Sequence, residues 1–184
     1  MTKIFESRFS SDGLEGLRCL LGTSVREILS PGAWGYRTWA NGMSFLVRCP
    51  RGYLVFSNGW DLTPVEELTL QPFRIEALES PRGLITDIQE DGREVIRYPF
   101  TEIMVGAPKQ RHRTSIQRIL VYEFEEVGAN QRVVFDSAVQ LFRSDGMEVL
   151  LAADLSALGG VACSYNKTYI RGHLQGHSVR LVLE

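Results

Sequence analysis

A chain of 184 residues with 44% hydrophobic and 23% charged side chains is long enough to bury a core without staples, and its composition excludes global disorder. The formal net charge of −2 at pH 7 argues against a protein that lives on nucleic acid, where clustered positive charge supplies the affinity. No stretch approaches the roughly 20 apolar residues of a bilayer span, and the first seven residues carry no apolar run of signal-peptide length. Cys19, Cys49 and Cys163 are an odd count at wide, irregular spacing. They read as reduced, mostly buried thiols, which makes the cytoplasm the expected compartment. A single domain over residues 1–184 is expected, because no shift of composition marks a boundary.

Taken in chain order, the first element is a short helix. Ser11-Asp12-Gly13 can cap it, Leu14, Leu17, Leu20 and Leu21 recur at helical spacing, and Gly22 follows as a stop. Thr23 to Leu29 reads as a strand with Val25, Glu27 and Leu29 on one face, ended by Ser30-Pro31-Gly32. Met43 to Arg48 and Tyr53 to Phe56 form a hairpin pair around Cys49-Pro50-Arg51-Gly52. Glu66 to Leu70 and Phe73 to Leu78 are strands separated by Pro72, which suggests an edge or a bend. Leu84 to Ile88 fits a strand or a helical turn, and it faces Glu94 to Tyr98 across Glu90-Asp91-Gly92.

The C-terminal half patterns more clearly. Ile116 to Glu125 alternates, and Arg132 to Phe142 joins Glu148 to Ala153 through a turn containing Asp145-Gly146, the strongest hairpin signal in the chain. Ser178 to Leu183 is a last strand that needs a neighbour. Gly106 to Thr114 and Leu155 to Lys167 are the expected long loops. The fold class is therefore mostly β (a β-rich α+β domain), as antiparallel sheets or a partly open barrel with one or two short helices.

Several motifs invite chemistry. His173 and His177 form H-x-x-x-H, which on a helix sets two imidazoles on one face for zinc. Glycines and a strand-like run surround them, and on an extended chain their Cα atoms stand about 13 Å apart. The expectation is two polar histidines near a turn, no metal site and no cofactor. Ser164-Tyr165-Asn166-Lys167 matches the S-x-x-K of penicillin-recognising enzymes but lacks the partner motifs, so it reads as an exposed loop. Cys163 with His173 and His177 would suit a thiol nucleophile or a ligand pocket on a β-barrel, the alternative to a buried structural cysteine. Gly-rich phosphate loops are missing from the sequence.

Other residues suit recognition. Trp34, Tyr36, Trp39 and Trp60 on Gly-rich segments are interface anchors or core plugs over one end of a sheet. Asp61, Glu66, Glu67, Glu76 and Glu79 make one acidic set, and Glu123, Glu125 and Glu126 another; both suit the masking of a basic active site, or solubility alone. The loop Lys109-Gln110-Arg111-His112-Arg113 suits a phosphate, an acidic protein surface, or plain solvation.

The segment from Val134 through Asp136 to Phe142, then Asp145-Gly146 and Val149-Leu150-Leu151, is similar to a strand–Asp–strand–DG–strand pattern of small bacterial immunity proteins from polymorphic toxin systems. Leu20-Leu21-Gly22 leading into Val25-Arg26-Glu27-Ile28 resembles their opening helix-to-strand. The resemblance covers about a third of the chain. It implies a cytoplasmic, non-enzymatic protein that binds one cognate toxin domain. The chain is expected to act as a monomer or weak dimer that occludes the toxin's active site, with no nucleic-acid or membrane partner. The resemblance carries over no site residues. On residue type, the expected interface is Trp34, Trp39, Trp60, Glu66 and Glu67, with Lys109, Arg111 and Arg113 as the alternative face.

Overall fold

The computed structural model describes residues 2–25, 27–36, 38–58, 73–81, 83–96, 100–104, 114–155 and 159–184. In chain order the elements are β1 (Lys3–Ser7), α1 (Ser11–Arg18), β2 (Glu27–Pro31), β3 (Trp34–Tyr36), β4 (Trp39–Gly42), β5 (Ser44–Cys49), β6 (Gly52–Asn58) and β7 (Phe73–Leu78). They continue with β8 (Thr86–Ile88), β9 (Glu94–Ile96), β10 (Phe100–Met104), β11 (Ile116–Val127), β12 (Gln131–Arg143), β13 (Glu148–Ala153), β14 (Val161–Ser164), α2 (Lys167–His173) and β15 (Ser178–Leu183). The fold is mostly β with two helices among the described residues, and its sheets do not close into a barrel.

The long C-terminal strands build the larger sheet. Its order is β15-β11-β12-β13-β14-β4-β3, with β1 paired to β12 in parallel. The hairpin expected at Asp145-Gly146 is present: Phe142 pairs with Glu148 and Ala138 with Ala152 across it. Gly146 supplies the left-handed backbone at φ +78, and the Asp145 carboxylate accepts from the Met147 N–H. The smaller sheet runs β10-β2-β5-β6-β7 and contains the expected hairpin of β5 and β6. Strands β8 and β9 pair across the Glu90-Asp91-Gly92 turn, while residues 83–85 form a turn of their own.

Alternation decides which side chains meet between the sheets. Val139, Leu141, Val149, Leu151, Val161 and Cys163 of the large sheet share one core with Phe45, Val47, Leu54, Phe56 and Ile75 of the small one. Helix α1 adds Leu17, which is fully buried. Burying one such leucine contributes about 2 kcal/mol. The cap lies one residue before the expected Ser11: the Ser10 hydroxyl accepts from the Gly13 N–H at 3.0 Å. The helix ends at Arg18 rather than at Gly22, because Leu20 to Thr23 turn to pair with Ile116. Gly13 has a packing reason, since a Cβ there would stand 2.9 Å from the Ile75 carbonyl oxygen.

Several expectations are corrected. The strand foreseen from Thr23 begins at Glu27; in it Ile28 faces the shared core and Leu29 packs on the outer side of the small sheet. The loop foreseen from Leu155 to Lys167 contains β14, four residues that are all buried, because the segment fills the slot between β13 and β4. The Gly-rich aromatic segment is a strand pair, β3 with β4. Strand β1 and helix α2 were not foreseen. The strand foreseen at Glu66 to Leu70 and most of the Gly106 to Thr114 loop lie outside the described residues.

Candidate functional site: the outer face of the large sheet

The face of the large sheet turned away from the core carries α2. Asn166 caps the helix, its side-chain oxygen accepting from the Thr168 and Tyr169 N–H groups at 3.0 and 3.2 Å. Ile170 and Leu174, one turn apart, pack on Ala138, Leu150 and Ala152. The opposite spacing places Tyr169, His173 and His177 in line along the same element and the turn that follows it.

Together with their neighbours these rings form a row. Trp39 stacks on Tyr169 at 5.9 Å between centroids and 7° between planes, Tyr169 on His173 at 5.9 Å, and His173 on His177 at 6.0 Å. His177 then tilts against Phe124 at 5.0 Å, and Phe124 meets Phe135 edge-on at 5.8 Å. Ring contacts of this kind each add about 0.5–1.5 kcal/mol beyond area burial. The row ties β4, α2, β11 and β12 into one surface. It also corrects the extended-chain spacing assumed for H-x-x-x-H: the segment is helix and turn, so the two imidazoles are neighbours. Among the described residues no group of three or more His, Cys, Asp or Glu side chains is placed to hold a metal ion.

The same face continues onto β15. Val179 pairs with Tyr122 and Val182 with Leu120, so both valines point outward, where each is about half exposed (49% and 50%). Arg180 lies between them as an extra residue, since Val121 pairs with Leu181 and Tyr122 with Val179. A second bulge sits at the same level on β12, where Tyr122 pairs with Ala138 and Glu123 with Asp136, leaving Ser137 over.

The two bulges aim a charge cluster at one buried carboxylate. Asp136 has no solvent access and accepts from Arg180 Nε at 2.5 Å and Nη2 at 2.7 Å, from the Phe9 N–H at 2.8 Å, and from Arg8 Nη1 at 3.3 Å. Arg8 also donates to Glu123 at 2.7 Å, which holds that carboxyl below its usual range, with Ser178 donating to it as well. Sequence reading noted Asp136 only as part of a pattern. A carboxylate inside an apolar run was the signal that partners must exist, because a buried charge is retained only when paired.

The expected interface residues fall unevenly. Trp39 is partly buried in the ring row. Trp34 lies in β3, paired with Asn41, and its side chain is outside the described part, as are Trp60, Glu66, Glu67, Lys109, Arg111 and Arg113 entirely. Of the second acidic set, Glu123 and Glu125 are paired with Arg8 and Arg132. Ser164 to Lys167 is not an exposed loop: Ser164 ends β14 fully buried, and Asn166 and Lys167 begin α2.

Cys163 and the histidines are not brought together. Cys163 pairs with Ala40, and both face the core between the sheets, whereas Trp39, Tyr169 and the imidazoles lie on the outer side. Burial pushes the Cys163 thiol up to about 12, the opposite of what a nucleophile needs. Cys19 and Cys49 are free thiols, each partly exposed. No helix among the described residues is long and apolar enough to cross a membrane. Comparison with protein-family models, with curated proteins and with solved structures finds no match to this chain.

Proposed function

We propose that the chain is a non-enzymatic protein-binding domain, an immunity-type inhibitor that covers the active site of a cognate bacterial toxin. The observation that carries this reading is the ring row on the outer face. Trp39 is held there against Tyr169 in a fixed orientation while keeping part of its surface in water. A large aromatic already locked in place contributes binding area at little entropic cost, the property of interface anchors. The half-exposed Val179 and Val182 extend the same face with apolar surface. Cys163, the one nucleophile of the rival enzymatic reading, belongs to the inner core.

The test is co-expression of the tagged chain with the proteins encoded beside its gene, followed by isolation of any stoichiometric complex. The expected result is a complex with a toxin domain that the chain inactivates, weakened at least about thirtyfold by Trp39→Ala, the size of a hot-spot loss. Recovery of the chain alone from every such pair, or a complex indifferent to Trp39→Ala, refutes the reading.

A further inference from the structure

His173 and His177 stand at the joint between α2 and β15, ring beside ring. Nδ1 of His177 lies 3.3 Å from the Gln175 carbonyl oxygen, and His173 is hydrogen-bonded to the backbone of Ala153. In a neutral imidazole the nitrogen facing a carbonyl carries the proton, which leaves Nε2 as the bare acceptor. Both Nε2 atoms are buried and, among the described residues, have no hydrogen-bond partner. The arrangement suits two neutral rings. A second proton on either ring would occupy a buried nitrogen with nothing to receive it, beside the other imidazole.

We propose that this pair is an acid-operated latch: at mildly acidic pH, protonation opens the joint formed by α2 and the turn to β15, while the two-sheet core stays folded. The pair holds Tyr169 on one side and Phe124 on the other, so opening breaks the ring row at its centre. Arg180 is fastened to Asp136, so the opening stops short of β15 beyond that residue.

The surrounding charges support the direction. From the end of β13, Asp154 favours protonation of His173. Burial first, and then the neighbouring His177, outweigh it and bring His173 below the usual histidine range. Burial likewise lowers His177, against the Gln175 and Leu174 carbonyls. On α2 itself Tyr169 is neutral and Arg171 is exposed; on β11 Phe124 is uncharged and Glu123 is engaged by Arg8 and Ser178; Arg180 on β15 is engaged by Asp136. A group whose folded value is depressed stabilises the closed form above about pH 6.5, and that contribution is lost as pH falls. For one ring that protonates only when open, the opening equilibrium grows about tenfold per pH unit, and for both together at most about a hundredfold.

The experiment follows amide exchange, corrected for its intrinsic pH dependence, in the whole chain from pH 7.5 to 5.0. The Cε1 proton shifts of both histidines are recorded in the same range. Protection of residues 167–178 is expected to fall at least about tenfold per unit once histidine begins to titrate, with β5, β6 and β12 unchanged. His177→Phe keeps a ring against Phe124 and removes one titrating group, so its protection is expected to vary less steeply; His173→Gln gives a second variant. A pH-independent joint in the wild type overturns the proposal. So does an undiminished slope in both variants, a simultaneous loss of protection in the core strands, or either ring titrating at its ordinary value with the joint closed.

Discussion

Replacing Asp136 by alanine tests the clamp most directly. The carboxylate is inaccessible to solvent and takes hydrogen bonds from Arg180, Arg8 and the Phe9 N–H. Its removal leaves the Phe9 N–H without an acceptor, which costs about 1–3 kcal/mol. It also strands the guanidinium of Arg180, a quarter exposed, whose counter-charge is gone. Breaking a buried pair from one side costs about 3–5 kcal/mol in all, and the water left around Arg180 and Arg8 puts this site in the lower half of that range. The expected loss is therefore about 3–4 kcal/mol, a fall in Tm of about 6–16 °C for a chain of this size. Urea unfolding followed by far-UV circular dichroism measures it. Because much of the cost is a stranded charge, Asp136→Ala combined with Arg180→Leu should be more stable than Asp136→Ala alone. A single-mutant loss under about 1 kcal/mol, or a double mutant no better than the sum of its parts, would refute the reasoning.

Three further outcomes are expected. Gly52 has φ +126, and a Cβ there would lie 2.1 Å from the Leu78 carbonyl oxygen, so Gly52→Ala should cost at least about 2 kcal/mol, read as a lowered Tm. Asn166→Ala removes the acceptor for two N–H groups at the start of α2 and should cost about 1 kcal/mol, with faster amide exchange confined to that helix. In native protein at pH 8 an aromatic disulfide reagent should titrate two thiols, Cys19 and Cys49, and reach Cys163 only after unfolding in urea; three fast equivalents would contradict the burial of Cys163.

The long strands were legible because their patterns are local. Ile116 to Val127 alternates, and Asp145-Gly146 announces its own turn, so the β12–β13 hairpin follows from neighbouring residues alone. Helix α2 was hidden by its composition. Lys-Thr-Tyr-Ile-Arg-Gly-His is seven residues with two β-branched side chains and a glycine, and its stability comes from Ile170 and Leu174 on the sheet. An asparagine cap followed by apolar residues one turn apart was the available clue. Strand β14 was hidden because both its faces are buried, which removes the alternation that marks a half-exposed strand. The ring row joins Trp39 to a helix about 130 residues later, and the bulges that aim Arg180 at Asp136 are matters of register, which composition does not record.

The Asp136 clamp also has a bearing on time. Its two arginines come from positions 128 residues before it and 44 residues after it, so the carboxylate acquires its full complement of donors only once three distant segments have docked. Contacts spanning so much chain form after the local hairpins, because loop closure precedes any reward from them. The clamp therefore belongs to the downhill side of the folding barrier. Weakening it should leave the refolding rate nearly constant and shorten the lifetime of the folded molecule, which makes this buried charge a brake on unfolding more than a guide to folding.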